Sequence, residues 1–133
     1  MKKLILVLTL FSCVLGVQAQ QEVQAFNVAQ RVNDGQEETI EINIIMTISD
    51  GLISFAGGLD DVTLYTVLKK VYQKDYHGNI YTLKNKDGLI SMLLYAPIFD
   101  EQGKSLGNSA VHIFYDQDTN EEVGRIIYRY QAK

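Results

Sequence analysis

The stretch Glu38-Thr39-Ile40-Glu41-Ile42-Asn43-Ile44-Ile45-Met46-Thr47-Ile48 decides the fold class. Ile40, Ile42, Ile44, Met46 and Ile48 fall on one face. Thr39, Glu41, Asn43 and Thr47 fall on the other. Successive side chains of a strand point to opposite faces, so this period of two describes a half-buried β-strand. A helix would need apolar residues three and four apart.

Turn chemistry flanks the strand on both sides. Asp34-Gly35 precedes it and Asp50-Gly51 follows it; Asp87-Gly88 is a third pair of the same kind. Glycine takes positive φ without a steric penalty, and aspartate tolerates it through local hydrogen bonds, so such pairs close hairpins. His77-Gly78-Asn79 and Asp100 to Gly103 read as two further turns. Working outward, Glu22 to Arg31 forms a first strand with weak alternation, and Leu52 to Phe55 returns after Asp50-Gly51. Gly57-Gly58 marks a loop.

Asp61 to Lys74 fits either a helix stripe or an alternating strand. Its β-branched and aromatic residues (Val62, Thr63, Tyr65, Thr66, Val67, Val71, Tyr72) favour the strand. Asn79 to Leu83 follows. Leu89 to Tyr95 is almost wholly apolar and reads as a central strand covered on both faces, with Pro97 near its end. Val111 to Tyr115 and Val123 to Tyr130 make a last hairpin around Asp116 to Glu122. The expectation is an all-β domain, a small antiparallel meander of seven or eight strands. It closes as a barrel or packs as a two-sheet sandwich.

The N-terminus carries a different signal. Met1-Lys2-Lys3 is a positive start, Leu4 to Leu15 is an apolar run, and Val17 and Ala19 sit where signal peptidase accepts small side chains. Residues 1–19 therefore read as a cleavable signal peptide, and 20–133 as one β domain. The run is shorter than the roughly 20 residues of a membrane-spanning helix. Leu10-Phe11-Ser12-Cys13 loosely resembles a lipidation box, but Phe11 is bulky and Val14-Leu15 prolong the apolar run, so simple cleavage is preferred to a lipid anchor at Cys13. The product is exported: periplasmic, outer-surface or extracellular.

Cleavage leaves 114 residues, enough to bury a core without staples. Cys13 is the single cysteine and leaves with the signal, which excludes disulfides, thiolate metal sites and cysteine nucleophiles from the mature chain. Lys2 and Lys3 leave too. Ten basic residues then face 16 acids, a net charge of −6. Nucleic-acid partners need clustered Lys and Arg, so this balance argues against them.

No stretch matches a catalytic or cofactor signature, and no cofactor is expected. Asp116, Asp118 and Asn120 match the opening of a calcium loop, but Glu121 stands where the sharp turn needs glycine, and Ile127 where a bidentate glutamate belongs. A solvated hairpin tip is the simpler reading. His77 and His112 lack a metal-ligand spacing; His112 shares a strand face with Ala110 and Phe114. No serine lies in an activating local context. Arg125 and Arg129 are expected to pair with acids on a neighbouring strand.

The eight tyrosines are the most unusual feature. A ring with a polar tip suits interfaces and ligand walls as well as a sheet rim. Tyr115, Tyr128 and Tyr130, the last two on one strand face, are the candidate contact residues. Three readings follow, of which the first is preferred and the other two are alternatives, the third the least favoured. The first is a non-enzymatic binding module of the bacterial envelope or extracellular space, contacting a protein or glycan. The second is a small barrel carrying an apolar ligand. The third, a small hydrolase, requires a histidine to meet a carboxylate or hydroxyl in a cleft.

Overall fold

A computed structural model describes residues 21–57 and 61–131. The signal-peptide reading, Cys13 and Gly58 lie outside these residues. Eight strands follow in chain order: β1 (Glu22–Asn33), β2 (Gln36–Ser49), β3 (Leu52–Gly57), β4 (Asp61–Gln73), β5 (Gly78–Lys84), β6 (Ile90–Phe99), β7 (Ser105–Tyr115) and β8 (Glu122–Arg129). Each pairs antiparallel with its neighbour, and β1 pairs with β8, so the meander closes into a barrel. The stretch from Asp61 is the strand its composition favours, as far as Gln73. A single turn of 3₁₀ helix, Lys74–Tyr76, follows it.

Closure makes one wall with an inside and an outside, and the strands alternate between them except where the register slips. Met46 and Ile48 of β2 are buried inside; Ile45 is exposed outside. The weak alternation of β1 has a cause in the pairing. Its register against β2 slips between Phe26 and Val28, so Phe26 and Ala29, three apart, are both buried. The waist of the barrel is filled by Phe26, Met46, Ile53, Leu83 and Leu93, each at most 1% exposed. This apolar filling is the reverse of the polar lumen of membrane-spanning barrels. Among the described residues, no helix is long and apolar enough to cross a membrane.

Two expectations need correcting. β6 is not covered on both faces: Ser91, Leu93 and Tyr95 are buried inside, while Met92 and Leu94 are half-buried outside. A single-layer barrel has no second layer to cover the outer face. Nor is Gly78 a turn residue. The turn lies one residue earlier, at His77 with φ 55°, and Gly78 opens β5. A Cβ there would lie 2.3 Å from the Tyr95 carbonyl oxygen and 2.5 Å from Ala96 Cβ. Glycine is needed at 78 for close approach, whereas Gly35, Gly51 and Gly88 serve their turns with φ of 78°, 80° and 84°.

The hairpins β1–β2, β3–β4, β5–β6 and β7–β8 gather at one end of the barrel, here called the mouth. Both described chain ends lie at the other. β2 overhangs at the mouth: Ile44 pairs with Gly57, the last residue of β3, and Gln36 to Asn43 continue beyond it.

Candidate functional site

Inside the mouth lies a cavity of about 450 Å³, open to solvent. Its walls come from β2, β3, β4, β7 and β8. Two of its inward positions, Gly57 and Thr63, carry little bulk, and this leaves the space. Phe55, Tyr65, Phe114 and Tyr128 supply ring faces and edges, with Ile42, Ile44 and Ile126 between them.

The rings hold one another in place. Phe55 stacks with Tyr128 at 5.3 Å between centroids and meets Tyr65 edge-on at 5.9 Å. His112 lies among them: 4.2 Å from Phe114, edge-on to Tyr65 at 5.0 Å, parallel to Phe55 at 5.9 Å. Such pairs contribute about 0.5–1.5 kcal/mol each beyond burial.

His112 is 1% exposed and shares a hydrogen bond of 2.8 Å between its Nε2 and Ser91 Oγ. Burial pulls its imidazole down to about 4, so it is neutral at physiological pH. The pairing resembles half of a nucleophile–base dyad, but its placement is wrong for one. His112 reaches the cavity wall, whereas Ser91 is not part of that wall and stands behind it as an anchor. Among the described residues no carboxylate contacts the imidazole to orient it as a base.

The hydroxyls of Tyr65 and Tyr128 behave differently. Tyr128 is 8% exposed, yet neither hydroxyl has a protein partner among the described residues, and neither is sealed from solvent. Both residues line the cavity. Burial raises both phenols, Tyr128 up to about 12, so both stay protonated and able to donate or accept.

The three candidate tyrosines do not share a surface. Tyr128 points inward to the cavity; Tyr115 points outward, its hydroxyl donating to Met92 Sδ at 3.7 Å; Tyr130 lies past the end of β8 and is exposed. Asp116 spends its carboxylate on its own loop: Oδ1 accepts from the amides of Asp118 at 2.8 Å and Thr119 at 3.1 Å. These bonds hold its carboxyl below the usual range. Asn120 turns the loop with φ 60°, its amide donating to the Asp116 carbonyl at 2.7 Å. No cluster of three or more potential metal ligands occurs among the described residues. His77 stands in the β4–β5 connection, at the opposite end from the mouth, edge-on to Phe99 at 6.0 Å.

Arg125 corrects a further expectation. Its partner is Glu122 on the same strand, bound through two hydrogen bonds of 2.6 and 2.7 Å, not an acid across the sheet. Both side chains are over a third exposed, so the pair contributes about 0–1 kcal/mol.

A second recess, of about 460 Å³, lies at the far end beside the β2–β3 turn. Asp50, Lys69 and Lys70 stand on its walls, and the Lys70 ammonium lies 5.8 Å from the Tyr81 ring centroid. It lacks the ring cluster of the mouth cavity: Tyr81 is the one aromatic residue on its walls among the described residues.

No family model matches the chain, and neither the curated proteins nor the solved structures contain a match to it. Function therefore has to be reasoned from the cavity itself.

Sequence reasoning placed His112, Ala110 and Phe114 on one face, and that face is inward. It missed Phe55 and Tyr65 as their companions. The available signal was positional: the inward rows of β3, β4, β7 and β8 carry Phe55, Tyr65, Phe114 and Tyr128 on the side toward the third and seventh turns.

Proposed function

We propose that this barrel is a small-ligand carrier that takes an apolar or aromatic molecule into the mouth cavity. One observation carries the reading: an aromatic-walled space of about 450 Å³, open to solvent, on whose wall two tyrosines, Tyr65 and Tyr128, have hydroxyls with no protein partner among the described residues. Ligand sites are typically concave, mostly apolar, roughly 300–1,000 Å³, with few polar groups to fix orientation. A barrel needing only stability would fill this space, because each unfilled methyl-sized gap costs about 1 kcal/mol. With no base–nucleophile pair on the wall, binding without chemistry fits the geometry best.

Export remains part of the proposal and rests on residues 1–19 alone. An intact-mass measurement on protein from the native host, giving a chain beginning at Gln20, is the expected result. A diacylated Cys13 would replace simple cleavage with anchoring.

The neutral fluorescent probe N-phenyl-1-naphthylamine tests the cavity. Saturable enhancement at one site per chain is expected from the full mature protein. Thr63→Trp, which adds bulk at an exposed position on the wall, is expected to abolish it while stability stays within about 1 kcal/mol. No saturable signal from folded protein, or unchanged binding by Thr63→Trp, would sink the carrier reading.

A second reading, a contact module for a protein partner, is favoured by the outer face of β1 to β4. Ala25, Ile45, Ala56 and Val62 form one cross-strand row, and Val23 and Leu64 end the next; Val23, Val62 and Leu64 are each more than half exposed. Crosslinking that maps to this face, with unaltered probe binding, would support it.

A further inference from the structure

The carrier reading leaves the charge of the ligand open, and the distribution of charge over the barrel speaks to it. We infer that the cavity takes an apolar organic cation, an ammonium group on a hydrocarbon or aromatic body, with the ammonium seated at mouth level among the rings. This rests on the carrier reading and adds to it a ligand class.

The first observation is the wall. Phe55, Tyr65, Phe114 and Tyr128 converge on one space. The face of an aromatic ring is electronegative and attracts a cation within about 6 Å. The Tyr65 and Tyr128 hydroxyl oxygens, without a protein partner among the described residues, add acceptors. Neutral His112 puts no positive charge into the cavity, and no charged side chain lines it among the described residues.

The second observation is the rim. The β1–β2 hairpin brings Asp34, Glu37 and Glu38 to the mouth, with Glu41 below them. The β7–β8 hairpin brings Asp116, Asp118, Glu121 and Glu122, and the β5–β6 turn adds Asp87. Arg31, Lys84, Lys86 and Arg125 are the described cations at this end; with Glu41 left out, since it pairs with Val28 at mid-height, eight carboxylates face four cations and the balance is −4. At the far end five described acids face four described cations, a balance of −1, and Arg129 stands at mid-height like Glu41, also opposite Val28. The negative charge of the described domain is therefore concentrated around the opening. Arg125 is occupied by Glu122, and Arg31, in the inward row near Tyr128, stands directly opposite Glu38.

The two observations agree in sign. A field of carboxylates around a low-dielectric opening raises the local concentration of cations and repels anions. An anionic ligand would meet repulsion at the rim and ring faces of the wrong sign within. The cation keeps its place at mouth level because, among the described residues, no buried carboxylate waits deeper to replace its hydration. The rim acids are exposed, so their share is screened beyond about 8 Å at physiological ionic strength.

Displacement of bound N-phenyl-1-naphthylamine from the full mature protein decides the matter. Benzyltrimethylammonium is compared with neopentylbenzene, which has the same shape with carbon in place of nitrogen, and with 3-phenylpropanoate. The cation is expected to displace the probe about tenfold more effectively than its neutral twin at low salt. The anion is expected to be weakest. Raising the salt, or the triple variant Glu37→Gln, Glu38→Gln, Glu121→Gln, is expected to shrink the cation's advantage several-fold and leave the neutral compound unchanged. Equal or tighter binding of the neutral or anionic compound overturns the inference while leaving the carrier reading standing. Failure of the probe itself to bind removes both.

Discussion

The two ends of the barrel use tyrosine in opposite ways. At the far end the Tyr95 hydroxyl donates to Gln24 Oε1 at 3.2 Å and accepts from Asn108 Nδ2 at 3.1 Å, tying β6, β1 and β7 together. At the mouth Tyr65 and Tyr128 line the cavity, and their hydroxyls have no protein partner among the described residues. Tyr95 and Tyr128 are buried to nearly the same degree, 7% and 8% exposed, and both phenols are pushed up to about 12, chiefly by burial. Burial alone therefore does not separate a structural tyrosine from a recognition one. What separates them is whether the polar tip is spoken for within the chain.

Four measurements break or sharpen that contrast, taken here from the largest effect to the smallest. Gly78→Ala forces a methyl group onto the Tyr95 carbonyl at the tied end. A loss of about 4 kcal/mol or more in chemical denaturation is expected, or no folded product. Phe26→Ala at the packed waist is expected to cost about 3–5 kcal/mol, against less than about 2 for Phe114→Ala on the half-exposed mouth wall. Similar losses at both positions would mean the cavity is as tightly packed as the waist.

The third measurement is pH dependence. The folded imidazole of His112 sits at about 4, below its ordinary 6.5, so between these values the unfolded chain binds more protons. Stability is expected to fall by about 2–3 kcal/mol as pH drops from 6.5 to 4, beyond whatever His112→Gln shows over the same window. An identical slope in the variant would place the imidazole in water. The fourth is a pair of single-atom deletions. Tyr95→Phe strands Gln24 and Asn108 and is expected to cost about 1 kcal/mol, whereas Tyr128→Phe is expected to leave stability unchanged and alter only ligand affinity.

The strands were legible because each one carries its own periodicity. The alternation from Ile40 to Ile48 and the Asp-Gly corners needed no knowledge of neighbours. The irregular parts were legible only as irregular. The poor alternation of β1 reflects a register slip at Phe26, which depends on β2 as much as on β1. The apolar run in β6 invited a two-sided environment because Met92 and Leu94 face outward beside other half-buried strands. The choice of barrel over sandwich turned on Val28 to Val32 meeting Arg125 to Arg129, a pairing across almost the whole chain. The cavity was hidden for the same reason. Ile42, Phe55, Tyr65, His112 and Tyr128 belong to five strands, and only closure brings them to one wall.

β1 begins, and β8 finishes, on the side away from the mouth, where the Asn27 side chain clasps the backbone of Gln131 through two bonds of 2.7 Å. A tether at either terminus, whether a purification handle, a bead or a neighbouring domain, would hang the molecule by its base with the opening turned outward. Joining the two termini by a short linker and cutting instead at a far-end turn such as Asp50-Gly51 would give a permuted chain with the same opening unobstructed.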